Sequence, residues 1–473
     1  MNEFAIYCLL LAIWNVILFY GKDFGISVLL FIVPLLIYFY FLFKKNNLIK
    51  NKKGLLFMIP IVILSMTFFI FNSNTFNVLN PLVIIGLILL MYIFTVKPIY
   101  NVKNIIIDMF RLLFKPWCFI GKFYRKCTSN IKLNMSDKTK KILKALLIVL
   151  PIVIVVLILL SNADMIFDKL FSSIFSRIKD WFTLEIFDSL LGKLFVGIIV
   201  LFAIGSTSLY IINAYHKEED KKKEKRFKDI YTIKLLVTIL NIIYVIFDFI
   251  QIKSLMLHNV TYGINFAEYA RQGFFELMFV SFINLAVILA SKKFDINNKK
   301  DKKYINIMSV VMVVLTLIII ASSFMRMHLY ETAYGYTVLR LLVYVTLITE
   351  ALLMIPTVMY IFNSKFNIVK SYMIIMISVY CIINYINIDY LIAYKNVNKY
   401  YTDNKIDLNY LANYESDNIP ILIDLYKNTK NEEMRSALFD YFIDVMENNK
   451  RSSIFEYNIS KSRCIRMIKE LDK

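Results

Sequence analysis

A chain of 473 residues that is 59% hydrophobic, 15% aromatic and only 19% charged is not a single ordinary soluble fold, because such domains are about half apolar and about a quarter charged. Glycine is scarce at 11 residues, which argues against glycine-built phosphate loops, and the formal charge is +20. The apolar residues fall in blocks of about 20, which marks a multi-pass membrane protein.

The opening MNEFAIYCLL has no basic n-region and no small-residue cleavage site after it, so its apolar block reads as a retained span. Eleven transmembrane helices are predicted, at roughly 4–20, 24–43, 55–71, 78–96, 142–160, 191–215, 230–251, 270–291, 304–325, 337–362 and 368–388. In a bilayer every backbone polar group needs an internal partner, so spans of this length are helices. The first and third are the shortest against a hydrocarbon core of about 30 Å. The expected fold class is an all-α integral membrane protein with about eleven transmembrane helices plus a small helical C-terminal domain. Its expected parts are 1–140, with four spans and a basic interfacial loop, 141–389, with seven spans, and the helical tail 390–473.

The loops at 44–53, 97–141, 216–228, 292–303 and 363–370 hold 31 Lys or Arg, against 9 in the alternating set. The positive-inside rule puts the first set in the cytoplasm. The N-terminus is then cytoplasmic and the C-terminus extracytoplasmic. The basic stretch 104–126, with Arg111, Lys115, Lys122, Arg125 and Lys126 among apolar bulk, suits the anionic lipids of the inner leaflet. On the outer side, Phe167, Leu170, Phe171, Ile174, Phe175, Ile178 and Phe182 recur at helical steps, as in a surface-lying connector or a lid. The run KEEDKKKEKRFK at 217–228 sits between spans and reads as a solvated loop, not a nucleic-acid patch.

From about 390 the composition changes, and the tail is neutral, with 13 basic and 13 acidic side chains. Ser416, Asp417 and Asn418 before Pro420 suit a helix start. Met434, Leu438, Phe439, Phe442, Ile443 and Met446 make one apolar stripe, and a last helix is expected over 453–470. A tail of this kind offers a surface for a protein partner.

Charges inside spans are costly and face a bundle interior or an aqueous cavity. Asn241, Tyr244, Asp248 and Gln251 share one face of the seventh span, and Glu268, Gln272 and Glu276 one face of the eighth, beside Arg271. Arg326, His328, Tyr330, Glu331, Tyr334 and Tyr336 surround a short turn, with Arg340 just inside the tenth span. Glu350 lies about 15 Å deeper, near mid-bilayer. The plainer reading is interhelical pairing. The sharper reading is a ligand-binding cavity lined by Glu268, Arg271, Glu276, Arg326, Tyr330, Glu331, Tyr334 and Arg340, with Asp248 and Glu350 as intramembrane ionisable groups. Arginine suits the two-pronged grip of a carboxylate or phosphate.

His216, His258 and His328 have no second ligand at metal spacing, and neither CxxC nor a Walker, GxSxG or GxGxxG motif occurs. No metal, no cofactor and no catalytic residue is expected. The five cysteines imply no disulfide framework.

The strings LLSNADMIFDKL at 159–170, FAEYARQGFFELMFVSFINLAVIL at 266–289, RMHLYETAYGYTVLRL at 326–341, IDYLIAYKNVNKYY at 388–401 and IDLNYLANYESDNIPILIDLY at 406–426 resemble the marker segments of a bacterial membrane group. That group is the domain of unknown function 4173, related to 4153. Met165 and Tyr336 stand where the pattern has Pro and Leu. The resemblance implies a bacterial cell-membrane protein without an assigned activity. It also implies that Tyr269, Arg271, Gly273, Glu276, Arg326, Tyr330, Tyr334, Gly335 and Arg340 occupy motif positions.

Three functions are weighed. Transport or handling of a small anionic or lipid-like ligand through an outward-facing polar cavity ranks first. A sensory, regulatory or scaffold protein that binds a partner through its tail ranks second. An envelope enzyme acting on a lipid-linked substrate, with Glu268 and Glu276 as its acid–base pair, ranks last.

Overall fold

In a computed structural model, the described residues are 3–96, 105, 108–112, 115–123, 190–214, 230–251, 274–292, 298–363, 365–403, 406–412, 416–448 and 453–471. Every regular element among them is a helix. In chain order they are α1 (Glu3–Phe19), α2 (Ile26–Lys45), α3 (Met58–Ile70), α4 (Asn74–Val96), α5 (Leu190–Ala214), α6 (Ile230–Gln251), α7 (Phe274–Ser291) and α8 (Lys299–Tyr334). Then come α9 (Val338–Phe362), α10 (Ile368–Tyr385), α11 (Ile388–Asp403), α12 (Leu408–Ala412), α13 (Ile419–Asn428), α14 (Glu432–Asn448) and α15 (Ile459–Lys469).

Six of these helical stretches are long and apolar enough to cross a membrane: Ile26–Lys45, Lys52–Ile70, Asn74–Val96, Lys299–Tyr334, Val338–Phe362 and Ile368–Tyr385. Three shorter apolar helices cover Phe4–Phe19, Val196–Ile212 and Leu277–Ser291. The described residues are thus helical in every regular element and include several membrane-type helices, whereas a count of eleven spans goes beyond what they give. The expected span at 142–160 and the amphipathic segment at 164–182 lie outside them. The expected span at 304–325 is part of a longer helix, because Asn298 caps α8 through the Lys300 amide (3.0 Å) well ahead of the apolar run.

The chain forms two compact units. The first takes residues 1–69, 79–219 and 452–458, and the second 70–78, 220–451 and 459–473. In the first unit α1 packs on α2 and α5, around fully buried Cys8, Leu18, Phe43 and Phe123. Glycine makes room twice. A Cβ on Gly205 would run into the Phe123 ring, and one on Gly25 would lie 2.6 Å from the Glu456 carbonyl carbon. The Tyr38 hydroxyl donates to Ser208 (3.0 Å) and meets the Cys8 thiol at 3.3 Å. The cavity lined by Phe39, Phe43, Met91, Tyr92, Thr207 and Ile211 has a volume of about 20 Å³, room for one water and not for a ligand. Of the basic segment, Arg111 pairs with Asp108 at 3.4 Å, Lys122 sits 4.4 Å over the Phe119 ring, and Phe110 is exposed.

The second unit is built on α8, which packs against α6, α7 and α9. Its buried stripe runs at alternating steps of four and three: Ile305, Ser309, Met312, Thr316, Ile319, Ser323, Arg326. This spacing of 3.5 keeps one seam facing the neighbours. Three of the seam residues are small and hydroxylic, which lets membrane helices approach closely. The hydroxyls of Thr316 and Ser323 return to the carbonyls of Met312 (2.6 Å) and Ile319 (3.0 Å). The tail helices α11, α13, α14 and α15 close a second core around Ile392, Leu422, Leu425 and Phe442. The expected stripe of α14 splits there: Met434, Leu438 and Phe442 are buried at i, i+4 and i+8, whereas Phe439 and Ile443 face outward.

One staple holds three helix ends of this unit. Lys292, the first residue past α7, donates to Asn306 Oδ1 of α8 (2.8 Å) and to the Ile361 carbonyl near the end of α9 (2.5 Å). A cation on a C-terminal carbonyl is favourable. Burial first, and the Lys302 charge second, nonetheless pull its ammonium down to about 8. The folded-state value is the lower one, so between it and the ordinary lysine value of about 10.4 the unfolded chain binds more protons. Stability should therefore rise with pH across that window and fall as pH drops through the folded value. Lys292→Gln should flatten this slope in thermal unfolding followed against pH, and an unchanged slope would assign it to another group.

Candidate functional site

The turn between α8 and α9 is the most polar locality of the second unit. The chain leaves α8 through Gly335, at φ 82° and ψ −176°, a region open to glycine and costly for other residues. A Cβ there would also lie 2.7 Å from Asn396 Oδ1. The backbone beyond is irregular, and at a membrane helix end each exposed amide and carbonyl needs a partner. Side chains from the turn itself and from more than fifty residues further on supply them. Asn396 of α11 accepts from the Tyr336 amide (2.8 Å) and donates to the Tyr336 carbonyl (2.9 Å). The Tyr410 hydroxyl accepts from the Val338 amide (3.1 Å). Thr337 caps α9 through the Arg340 amide (3.4 Å). Lys399 donates to the Thr332 carbonyl, and an Arg340 amine donates to the Gly335 carbonyl.

Onto this turn the sequence-predicted residues fall as follows. Arg326 and Glu331 are buried, Tyr330 and Arg340 half-buried, and Tyr334 and His328 exposed. Glu331 accepts from the Tyr344 hydroxyl at 2.6 Å, a partner that lies 13 residues ahead and escaped the reading of the sequence. The Tyr330 and Tyr334 rings are 5.0 Å apart, and the Arg340 guanidinium sits 4.3 Å over the Tyr330 ring, a cation–π contact that orients its fork. Arg340 forms no ion pair within 4 Å among the described residues. Tyr336 lies under Lys395, 5.8 Å from its ring. Burial, and after it the Glu331 carboxylate, push the Tyr336 phenol above its ordinary value, so it stays neutral. Glu268 and Arg271 lie outside the described residues, and Glu276 is placed only as a position on α7.

The structure brings a second polar set together in the bundle. Glu350, midway along α9 and 2% exposed, accepts from the Ser281 hydroxyl of α7. Its other carboxylate oxygen has no hydrogen-bond partner among the described residues. Asn284 donates to Thr316 (3.0 Å), and Asn241 to the Met308 carbonyl (2.9 Å). Asp248 of α6 is 3% exposed, with neither oxygen partnered among the described residues. Thr346, one turn before Glu350 on α9, turns its hydroxyl to the Leu342 carbonyl (2.9 Å). Ser281 was the missing partner, and no local spacing signals a residue 69 positions away. No group of His, Cys, Asp and Glu among the described residues is arranged to hold a metal.

The chain belongs to the family named Domain of unknown function (DUF4153), whose model matches residues 58–425. The match is to 4153 itself, where the marker strings suggested the related 4173. No curated protein and no solved structure matches the chain. The turn at 335 and the bundle around Glu350 both fall within the matched region.

Proposed function

We propose that this membrane protein binds an anionic group, a carboxylate or a phosphate, at the α8–α9 turn, and that it transports or handles the small or lipid-like molecule bearing it. The observation that carries this reading is Arg340. Its guanidinium is half-buried, held in place by the Gly335 carbonyl and the Tyr330 ring, and without a carboxylate at ion-pair distance among the described residues. A guanidinium fixed on one edge keeps its remaining donors for a planar oxyanion. Tyr330 and Tyr334 add an apolar wall with polar rims, which suits the level where headgroups meet hydrocarbon. The asymmetry of 31 against 9 basic residues supports putting this turn on the outer face of a bacterial cell membrane, with the basic segment around Arg111 and Lys122 toward anionic inner-leaflet lipids.

The test compares wild type, Arg340→Lys and Arg340→Ala in nanodiscs. Inorganic phosphate added to the buffer and phosphatidic acid added to the bilayer serve as probes, and thermal unfolding is the readout. Wild type should be stabilised by at least one of them. Arg340→Ala should lose about tenfold in affinity, which is about 1.4 kcal/mol. Arg340→Lys should keep part of it, because a point charge replaces the fork. A response to phosphatidic acid alone identifies a lipid headgroup, and to phosphate alone a soluble anion. Equal binding by wild type and Arg340→Ala would defeat the reading.

A further inference from the structure

The helix register sets two buried carboxyl groups of the second unit, Asp248 and Glu350, at neighbouring depths. Lys234 bonds Asp301 and Asn241 bonds Met308, so α6 runs parallel to α8 with an offset of 67 residues. Asp248 is then level with Leu315. Asn284 bonds Thr316 from the antiparallel α7, so Ser281, and Glu350 on it, are level with Ile319. Four residues separate the two levels on α8, about 6 Å along its axis.

Among the described residues the surroundings of these groups are polar but carry no charge to balance them. At this depth α6 contributes Tyr244, α7 contributes Ser281 and Asn284, and α8 contributes Thr316 and Ser323. The Thr357–Tyr372 contact of 2.6 Å sets α10 antiparallel to α9, which puts Tyr380 and Cys381 near the level of Glu350. The cation on the facing stretch of α8 is Arg326, two turns from Ile319. No basic side chain forms an ion pair with Glu350 or Asp248 among the described residues. A carboxylate left bare in such a place is expensive, and the cheapest cation to neutralise it is a proton.

We propose that Glu350, with Asp248 as its second member, is an exchangeable proton site inside the bundle. On each carboxylate one oxygen gains an O–H bond when a proton arrives from hydronium, leaving water, and loses that bond when the proton passes back to water. The site goes beyond the anion reading of the α8–α9 turn and complements it: an anion entering a low-dielectric bundle together with a proton carries no net charge across. The hydroxyl ladder of Ser309, Thr316 and Ser323 along α8 gives the proton polar company on both sides of the carboxyls.

Infrared spectroscopy of the full chain in nanodiscs tests this through the carbonyl stretch of the protonated carboxyl group, which is separate from the carboxylate bands. Wild type should show the protonated signal at neutral pH and lose it as pH is raised. Glu350→Gln should remove one component and Asp248→Asn another. Ser281→Ala should shift the frequency of the Glu350 component without removing it, which excludes misfolding as the cause. If both carboxyl variants keep the whole wild-type signal, the proposal is overturned, whether or not an anion binds. Calorimetry with inorganic phosphate in two buffers of different ionisation heat decides the coupling. Proton uptake on binding in wild type, absent in Glu350→Gln, supports it, and equal uptake in both overturns it. If phosphate does not bind, the anion reading falls, and the infrared signal alone decides the proton site.

Discussion

Asn396→Asp should lower the stability of the second unit by about 3 kcal/mol, close to the effect of Asn396→Ala. In the native structure one side-chain amide serves both polar groups of a single peptide residue, accepting from the Tyr336 N–H and donating to the Tyr336 C=O. Aspartate keeps the shape and the acceptor and loses the donor. It would set a carboxylate oxygen against the Tyr336 carbonyl. Both bonds are part-buried, and a backbone group left without a partner costs up to about 1–3 kcal/mol. The near-equality of Asp and Ala separates this account from one in which Asn396 only fills space, where Asp would be benign. The measurement is thermal unfolding of the three proteins in one lipid. Retention of wild-type stability by Asn396→Asp would show that the Tyr336 carbonyl finds another donor.

The same residue shows where sequence reading stops. The polar patch on 326–340 was legible because charges in apolar surroundings are costly wherever they occur, and the tyrosines and arginines of that stretch are adjacent in the chain. Its partners were not, because Asn396 and Lys399 lie more than sixty residues on, in a helix whose own composition reads as a plain polar tail. Interhelical pairing is expected for Glu331 and Arg340 only in general terms. Folding gave Glu331 to a tyrosine one helix over and Arg340 to a carbonyl and a ring. The helices themselves were readable from block length and from the caps, as with Asn298 and Thr337. What periodicity could not show is which stripe of α8 meets which neighbour. The hydroxyl seam at Ser309, Thr316 and Ser323 is visible in the sequence only once the step of seven is sought.

The second large effect is expected at Asp417, and it turns on a similar misreading. Ser416, Asp417 and Asn418 before Pro420 form the pattern of a helix cap, and α13 does begin at Ile419 with the proline in its first turn. The cap position is Asn418, yet its side chain makes no cap bond and donates instead to the Leu411 carbonyl. Asp417 is turned inward and is 3% exposed. Both its oxygens accept from the Asn72 amide at 3.1 Å, 345 residues away, and one accepts from the Ser460 hydroxyl at the start of α15. One carboxylate thus gathers three distant stretches of the second unit. Asp417→Ala should cost about 3–5 kcal/mol, because it strands two donors and opens a gap. Ser460→Ala alone should cost about 1 kcal/mol, and close to nothing once Asp417 is gone, which is the signature of one shared interaction. Cys464 reports the loss directly. It is buried within a turn of Ser460, and burial first, then the Asp417 charge, push its thiol up to about 12, so it is inert in the folded protein. In a chain with Cys464 as its single cysteine, maleimide labelling should be slow in wild type and fast in Asp417→Ala. Equally slow labelling in both, with unchanged unfolding, would mean that the tail is held by its apolar core alone.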